Sequence, residues 1–247
     1  MIESAITSQI GRITLNRPEA HNALTRAAML ALTAKLVEWQ DAGLRGVILT
    51  GTGRSFCAGA SLDDMAGENW AENPLTALCD AVENLPAPVI AALNGGVYGG
   101  GVELALAADF RIGVIGMRAF VPPAKLGIHY EPAGISRAMA RLGGQMARRM
   151  FLLAENFDDQ ALLDCGFLDK LVEADALNAA AEHMAGTVAA LAPLAVQGMK
   201  RTIVELERGA LDKQAARARI LGAFASDDHA EGLAAQREKR APKFSGR

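Results

Sequence analysis

Two short stretches of this chain are apolar without any alternation, and each runs into a glycine-rich turn. Val47-Ile-Leu-Thr50 leads into Gly51–Gly59, and Val89–Leu93 leads into Asn94–Gly101. A strand with no polar face must be covered on both sides, and parallel sheets are the usual place for such strands. Helical segments lie between them. Thr25 is placed to cap a helix reaching about Gln40, with Met29, Leu32, Leu36 and Trp39 on one face and Gly43 at its end. Pro74 opens another, with Leu75, Leu78, Cys79 and Val82 on one face, and Pro86 and Pro88 stop it. A helix of small residues runs on to Ala108, followed by a strand at Phe110–Val114. A further strand, Ile10–Leu15, alternates as a half-buried strand does, and Asn16–Glu19 reads as a turn. Alternating strands and helices of this kind specify an α/β core with a parallel sheet.

The pattern changes near Asp175. Segments 175–192, 194–207, 211–225 and 228–240 all read as helices, punctuated by Pro193 and Gly209, with no strand signal. The expected organisation is a core over residues 1–174 that carries the site, and a helical C-terminal subdomain over residues 175–247.

Composition narrows the function classes. The chain has 247 residues, 51% of them hydrophobic and 5% aromatic, so its core is built from aliphatic and small side chains. A net charge of −3 gives no basic footprint for nucleic acid. Cys57, Cys79 and Cys165 form no close pair, and His21, His129, His183 and His229 have no metal-ligand spacing, so neither a disulfide framework nor a metal site is expected. The N-terminus lacks a basic start followed by an apolar stretch, and apolar stretches are interrupted before 18 residues. A cytoplasmic protein without membrane spans is the expectation. The helices after Asp175 carry more apolar face than a monomer readily covers, which points to a homo-oligomer.

Common ligand motifs fail. Gly51-Thr-Gly53 has Phe56 where a dinucleotide fingerprint needs its third glycine, and no glycine precedes a Lys-Ser or Lys-Thr pair as in a phosphate loop. Gly134-Ile-Ser136-Arg-Ala138 lacks the closing glycine of a nucleophile elbow. What remains is the pair of strand-to-helix turns themselves, Phe56–Asp63 and Asn94–Glu103. Amide groups at a helix start have no acceptor within the helix. Two such turns side by side can direct two N–H groups at one oxygen and stabilise negative charge on it. Their simpler role is tight turning and close helix packing.

Taken together, five segments resemble the crotonase, or enoyl-CoA hydratase/isomerase, family. They are Leu15–Leu24, Gly51–Ala60, Ile90–Gly95 with Gly99–Ala105 and Ala108-Asp109, Lys125-Leu-Gly127, and the tail Glu238–Phe244. The resemblance covers nearly the whole chain. It implies a spiral of ββα turns followed by helices that trimerise, and an acyl-CoA thioester bound with its oxygen in an oxyanion hole. The hole would be formed by the amides of Ala60 and Gly100. Ala58, Ser61, Leu62 and Asp63 would lie beside the adenine and pantetheine of coenzyme A, and Arg26 would meet its phosphates. Lys239, Lys243 or Phe244 would meet the nucleotide from the tail, within the chain or across a subunit boundary of a trimer or hexamer. Coenzyme A enters as part of the substrate, and no separate cofactor is implied.

The acid–base groups decide the chemistry. In the hydratase pattern two glutamates flank the substrate. Glu103, three residues after Gly100, matches the first, and a carboxylate in an otherwise apolar helix is a costly choice for packing alone. Pro123 stands where the family has the second. Downstream, Gly127-Ile-His129-Tyr130-Glu131 offers substitutes. Methylmalonyl-CoA decarboxylases of the family carry a tyrosine at the position of Tyr130, together with a histidine where this chain has Ala60. Dienoyl-CoA isomerases and an aroyl-CoA dehalogenase carry an aspartate at the position of Glu131. The expectation is an enoyl-CoA hydratase or isomerase using Glu103 with Glu131 or Tyr130. The alternatives are a methylmalonyl-CoA-type decarboxylase and a binding homologue without catalysis. The stretch Met65–Leu78, with Trp70, is expected to line the acyl pocket.

Overall fold

The non-alternating strands take the middle of a six-stranded sheet. In the computed structural model, which describes residues 2–61 and 74–247, the order is β1-β2-β3-β5-β7-β10. These strands span Ile2–Thr7, Ile10–Leu15, Gly46–Gly51, Val89–Leu93, Phe110–Val114 and Lys170–Val172. From β2 to β10 every neighbouring pair is parallel, and β1 is added antiparallel at the edge. Val47, Ile48, Leu49 and Val89 to Leu93 are buried, as strands covered on both faces require.

A second sheet has the order β4-β6-β8-β9, over Ser55–Cys57, Gly96–Tyr98, Arg118–Phe120 and Phe157–Asp158. Its strands lie partly inside segments that sequence reading treats as glycine-rich loops. Strands of two or three residues are too short to show a period of two. Three successive units, β3-β4, β5-β6 and β7-β8, each give one strand to each sheet and then pass into a helix, with residues 62–73 intervening in the first. This is the expected ββα repeat.

The helices follow their capping signals. Thr25 accepts a hydrogen bond from the Ala28 amide at 3.1 Å and starts the helix Arg26–Glu38. Met29, Leu32, Leu36 and Trp39 are buried beneath it, and Gly11 lets Trp39 approach: a Cβ there would stand 2.6 Å from the indole. The helix Gly100–Ala107 is buried along its whole length. Its small residues permit contact with β4, because a Cβ on Gly101 would lie 2.3 Å from the Cys57 carbonyl oxygen. The helix expected near Ser61 lies outside the described residues beyond that position.

Four helices close the chain, at Leu177–Ala189, Pro193–Glu207, Lys213–Phe224 and Asp227–Glu238. The first covers the large sheet through the buried Ala181 and Ala185. The second is tied to the core by the buried Lys200, whose Nζ meets Asp109 Oδ2 at 2.7 Å and the Ala87 carbonyl at 3.1 Å. The second and later helices leave Met199, Ile203, Ile220 and Phe224 exposed around a cavity of about 780 Å³. Among the described residues no single helix is long and apolar enough to cross a membrane.

Leu32, on the helix Arg26–Glu38, is fully buried. Truncating it as Leu32→Ala leaves a cavity that should cost about 2–5 kcal/mol of folding free energy. Urea unfolding should show a lower midpoint at unchanged slope.

Candidate active site

Each of the two singled-out amides is preceded by a glycine in the left-handed region. Gly59 (φ +82°) turns the chain before Ala60, and Gly99 (φ +52°) turns it before Gly100. Side chains other than hydrogen are strained there. The turns abut. A Cβ on Gly59 would stand 2.5 Å from the Gly100 nitrogen, and one on Gly100 would stand 3.6 Å from the Ala60 nitrogen. Ala60 pairs with Leu24 in a short parallel bridge, but the bonds run from the Leu24 amide to the Gly59 carbonyl and from the Ser61 amide to the Leu24 carbonyl. Gly100 is the first residue of its helix. Among the described residues neither the Ala60 nor the Gly100 N–H donates a hydrogen bond. Two unused donors therefore border one small space, with a Leu75 methyl 2.5 Å from the Cβ position of Gly100.

Two asparagines hold the first turn in place. Asn22 donates to the carbonyls of Thr52 (2.9 Å) and Ser55 (2.8 Å) and accepts from the Arg17 amide. Asn94 donates to the carbonyls of Gly53 (3.0 Å) and Ser55 (3.1 Å) and accepts from the Gly51 amide. Cys57 Sγ accepts from the Gly59 amide at 3.3 Å, and burial pushes its thiol up to about 12, so it stays neutral and packs.

Glu103 lies one turn along the helix from Gly100 and is 2% exposed. Arg137 Nη1 donates to its Oε1 at 2.6 Å. Its Oε2 is buried and has no hydrogen bond of good geometry among the described residues. Gly134 keeps the space beside Oε2 open, since a Cβ there would stand 2.7 Å from that atom and 2.4 Å from the Tyr130 ring. Burial pushes the Glu103 carboxyl above its usual range, against the opposing pull of Arg137 and Tyr130. Burial and the same carboxylate push the Tyr130 phenol well up, so it remains a donor. Tyr130 also packs on Phe151, with ring centroids 4.9 Å apart.

The other expected residues divide by place. Ser61 is buried next to the Ala60 turn, Ala58 donates to the His21 carbonyl, and Arg26 follows directly from the Leu24 bridge. Glu131 occupies the N-cap position of the helix Pro132–Leu142, half-buried, and its side chain makes no capping bond. His129 is exposed and its Nδ1 contacts the Tyr130 carbonyl at 2.7 Å. Pro123 begins a short 3-10 turn and presents no carboxylate. Leu62, Asp63, Trp70 and most of Met65–Leu78 lie outside the described residues. The tail is not brought to the site within one chain. Lys239 and Lys243 are exposed, and the Phe244 carbonyl accepts from Arg45, which precedes β3 at the end opposite the Gly51 turn.

Known proteins share this fold from end to end. The sequence model of the enoyl-CoA hydratase/isomerase family matches residues 5–247. The chain belongs to the enoyl-CoA hydratase/isomerase family. It is 36% identical over 241 residues to a Mycobacterium tuberculosis protein named "Probable enoyl-CoA hydratase", covering 95% of each chain. It is 32% identical to the 2,3-dehydroadipyl-CoA hydratase of Escherichia coli, over 95% of this chain and 94% of that one. The crystal structure of an enoyl-CoA hydratase from Bacillus anthracis superposes with a TM-score of 0.90 at 32% identity, covering 100% of this chain and 99% of the other. An acyl-CoA thioester is the ligand class of the family.

Sequence reasoning overlooked Arg137 and the bracing roles of Asn22 and Asn94, whereas Leu75 belongs to the stretch expected to line the pocket and borders the Gly100 turn. Arg137 had a signal. It shares with Gly134 and Ala138 the stripe that the helix Pro132–Leu142 buries, at helical spacing.

Gly59→Ala places a Cβ against the Gly100 nitrogen at an unfavourable φ. Calorimetric titration with an acyl-CoA is expected to show affinity reduced by about tenfold or more. Thermal melting should show a cost of about 1–2 kcal/mol.

Proposed function

We propose that this enzyme stabilises an acyl-CoA thioester as its enolate and thereby hydrates or isomerises an enoyl-CoA, with Glu103 moving the proton. The observation that carries this reading is the pair of amides, unused among the described residues, that border one space one helical turn from a buried carboxylate that Arg137 engages through only one oxygen. Two relatives, a 2,3-dehydroadipyl-CoA hydratase and a short-chain-enoyl-CoA hydratase, support an enoyl thioester.

The chemistry follows from the parts. The thioester oxygen accepts hydrogen bonds from Ala60 and Gly100, and the N-terminus of the helix Gly100–Ala107 favours its growing negative charge. For isomerisation, Glu103 takes the α-proton of a β,γ-enoyl thioester, and the C–H electrons delocalise onto the oxygen. The same carboxyl returns the proton at the γ-carbon, leaving the α,β-double bond. For hydration, water adds to the β-carbon, its proton passes to Glu103, and the double-bond electrons move to the oxygen. The enolate then takes a proton at its α-carbon. Pro123 supplies no second carboxyl, so Glu103 works with Glu131 or with the hydroxyl of Tyr130.

In this reading Ala58, Ser61, Leu62 and Asp63 serve the adenine and pantetheine of coenzyme A, and Arg26 meets its phosphates. Lys239, Lys243 and Phe244 act on the nucleotide of a neighbouring protomer in a homotrimer or hexamer. The exposed apolar side chains of the last helices support that assembly. The free thiols of Cys57, Cys79 and Cys165 are in keeping with the cytoplasm.

Mass-spectrometric product analysis with crotonyl-CoA, a β,γ-enoyl-CoA and methylmalonyl-CoA tests the reaction. The expected products are the hydrated or isomerised thioesters, reduced by about 100-fold or more in Glu103→Gln. Loss of carbon dioxide from methylmalonyl-CoA alone, or thioester binding with no product, would contradict the reading. Because Glu103 is pushed up, its base form is lost as pH falls through that raised value. The acid limb of the pH–rate profile should therefore sit above the ordinary carboxylate range and vanish in the variant. Sedimentation at micromolar concentration should show three or six protomers, and a single species near 25.9 kDa would refute the assembly.

A further inference from the structure

Behind Glu103 lies an ion cluster that the reaction itself does not use. Helix Pro74–Asn84 contributes Asp80 and Glu83, helix Gly100–Ala107 contributes Glu103, and helix Pro132–Leu142 contributes Arg137. Arg208, the C-cap of helix Pro193–Glu207, closes the group from the C-terminal side. Arg137 Nε meets Glu83 Oε1 at 2.7 Å, and its Nη2 meets Glu83 Oε2 at 3.1 Å and Asp80 Oδ1 at 3.0 Å. Only Nη1 is left for Glu103 Oε1. Arg208 Nη2 binds the same Asp80 Oδ1 at 2.7 Å and also contacts Glu83 Oε2.

The division of bonds is informative. A guanidinium serving only to neutralise Glu103 would turn its two-nitrogen fork onto both carboxylate oxygens. Here the fork is spent on Glu83, whose side chain is 6% exposed, and this fixes the plane of Arg137. Arg137 then holds Glu103 through one oxygen from one direction, and Oε2 lies buried beside Gly134 and Tyr130, outside the reach of that fork. We propose that Arg137 is the positioning residue of the site, and that Arg208, by sharing Glu83 and Asp80 with it, makes the orientation and charge of Glu103 depend on the docked C-terminal helix. This rests on the reading of Glu103 as the proton carrier.

The electrostatics agree with that arrangement. Three carboxylates face two guanidiniums, so one negative charge in the cluster lacks a full partner. Arg137 and Arg208 overcome burial at Glu83 and hold its carboxyl low, whereas burial wins at Glu103 and pushes it up. Two buried acids sharing one arginine are thereby driven apart, as proton-transfer sites require. The remaining titratable groups facing Glu103 are Tyr130 and Cys79, both pushed well up by burial and hence neutral.

The test follows the Glu103 carboxyl directly, by NMR of protein carrying ¹³C-labelled glutamate, with Glu103→Gln identifying the signal. Asp80→Asn removes a negative charge and should lower the Glu103 midpoint. Arg208→Met removes a positive charge and should raise it, each by on the order of half a pH unit. Both side chains are partly exposed, at 41% and 38%, so these variants should fold. Arg137→Lys cannot hold Glu83 and Glu103 together. It should raise the midpoint and lower kcat by about tenfold or more, with KM within about twofold. The acid limb of the pH–rate profile should follow the same order. The opposite-sign shifts report the charge coupling, and the loss of kcat at nearly constant KM in Arg137→Lys is the readout that a purely structural cluster would not give. Unmoved midpoints in Asp80→Asn and Arg208→Met, with Glu103→Gln inactive, would overturn the positioning role and leave the proton-carrier reading intact. A fully active Glu103→Gln would overturn that reading and the positioning role with it.

Discussion

The site depends on a backbone contact between two turns. Gly59 and Gly100 meet so closely that a single methyl group on Gly59 would collide with the Gly100 nitrogen. Such an approach demands glycine, and glycine weakens a turn because it gains freedom on unfolding. The surroundings offset this. The turns leave β4 and β6, which pair in parallel within the smaller sheet, Asn22 and Asn94 fasten the first turn from two sides, and Gly101 seats the second helix on Cys57. The scaffold thus holds two amides without acceptors, a cost that a negatively charged ligand oxygen removes.

A second tension is electrical. Glu103 is placed where water would otherwise stabilise it, and burial disfavours its charged form. Complete pairing with Arg137 would remove that penalty and also the tendency to take up a proton. The structure stops short of it, with one oxygen bonded to Arg137 and the other buried beside Tyr130. The loss of a second carboxyl at Pro123 concentrates the demand on this one group, and Tyr130 and Glu131 lie within the adjoining segment.

Local features made the essential frame legible. The non-alternating strands specified the parallel sheet, glycines marked the two strand-to-helix turns, and the family resemblance singled out the amides of Ala60 and Gly100 within them. Glu103 stood out as the one charge in an apolar helix. The short strands β4, β6 and β8 escaped because three residues carry no period. β1 escaped because most of its residues are exposed at a sheet edge. Arg137 escaped for a different reason. Its partners Glu83 and Glu103 are 54 and 34 residues away, and an arginine without known partners reads as solvated. The tail contact between Arg45 and Phe244 spans 199 residues and was equally invisible. Pairings of such range follow from the fold and leave no local pattern.

Hydrogen exchange at the α-carbon of a saturated acyl-CoA in deuterium oxide tests enolate stabilisation most directly. It needs only the two amides and one base, so neither the acyl group nor the missing second carboxyl confuses the outcome. The wild-type protein should incorporate deuterium at the α-carbon at a saturable rate, and Glu103→Gln should not. Saturable binding of the thioester with no exchange in the wild-type protein would contradict the enolate mechanism.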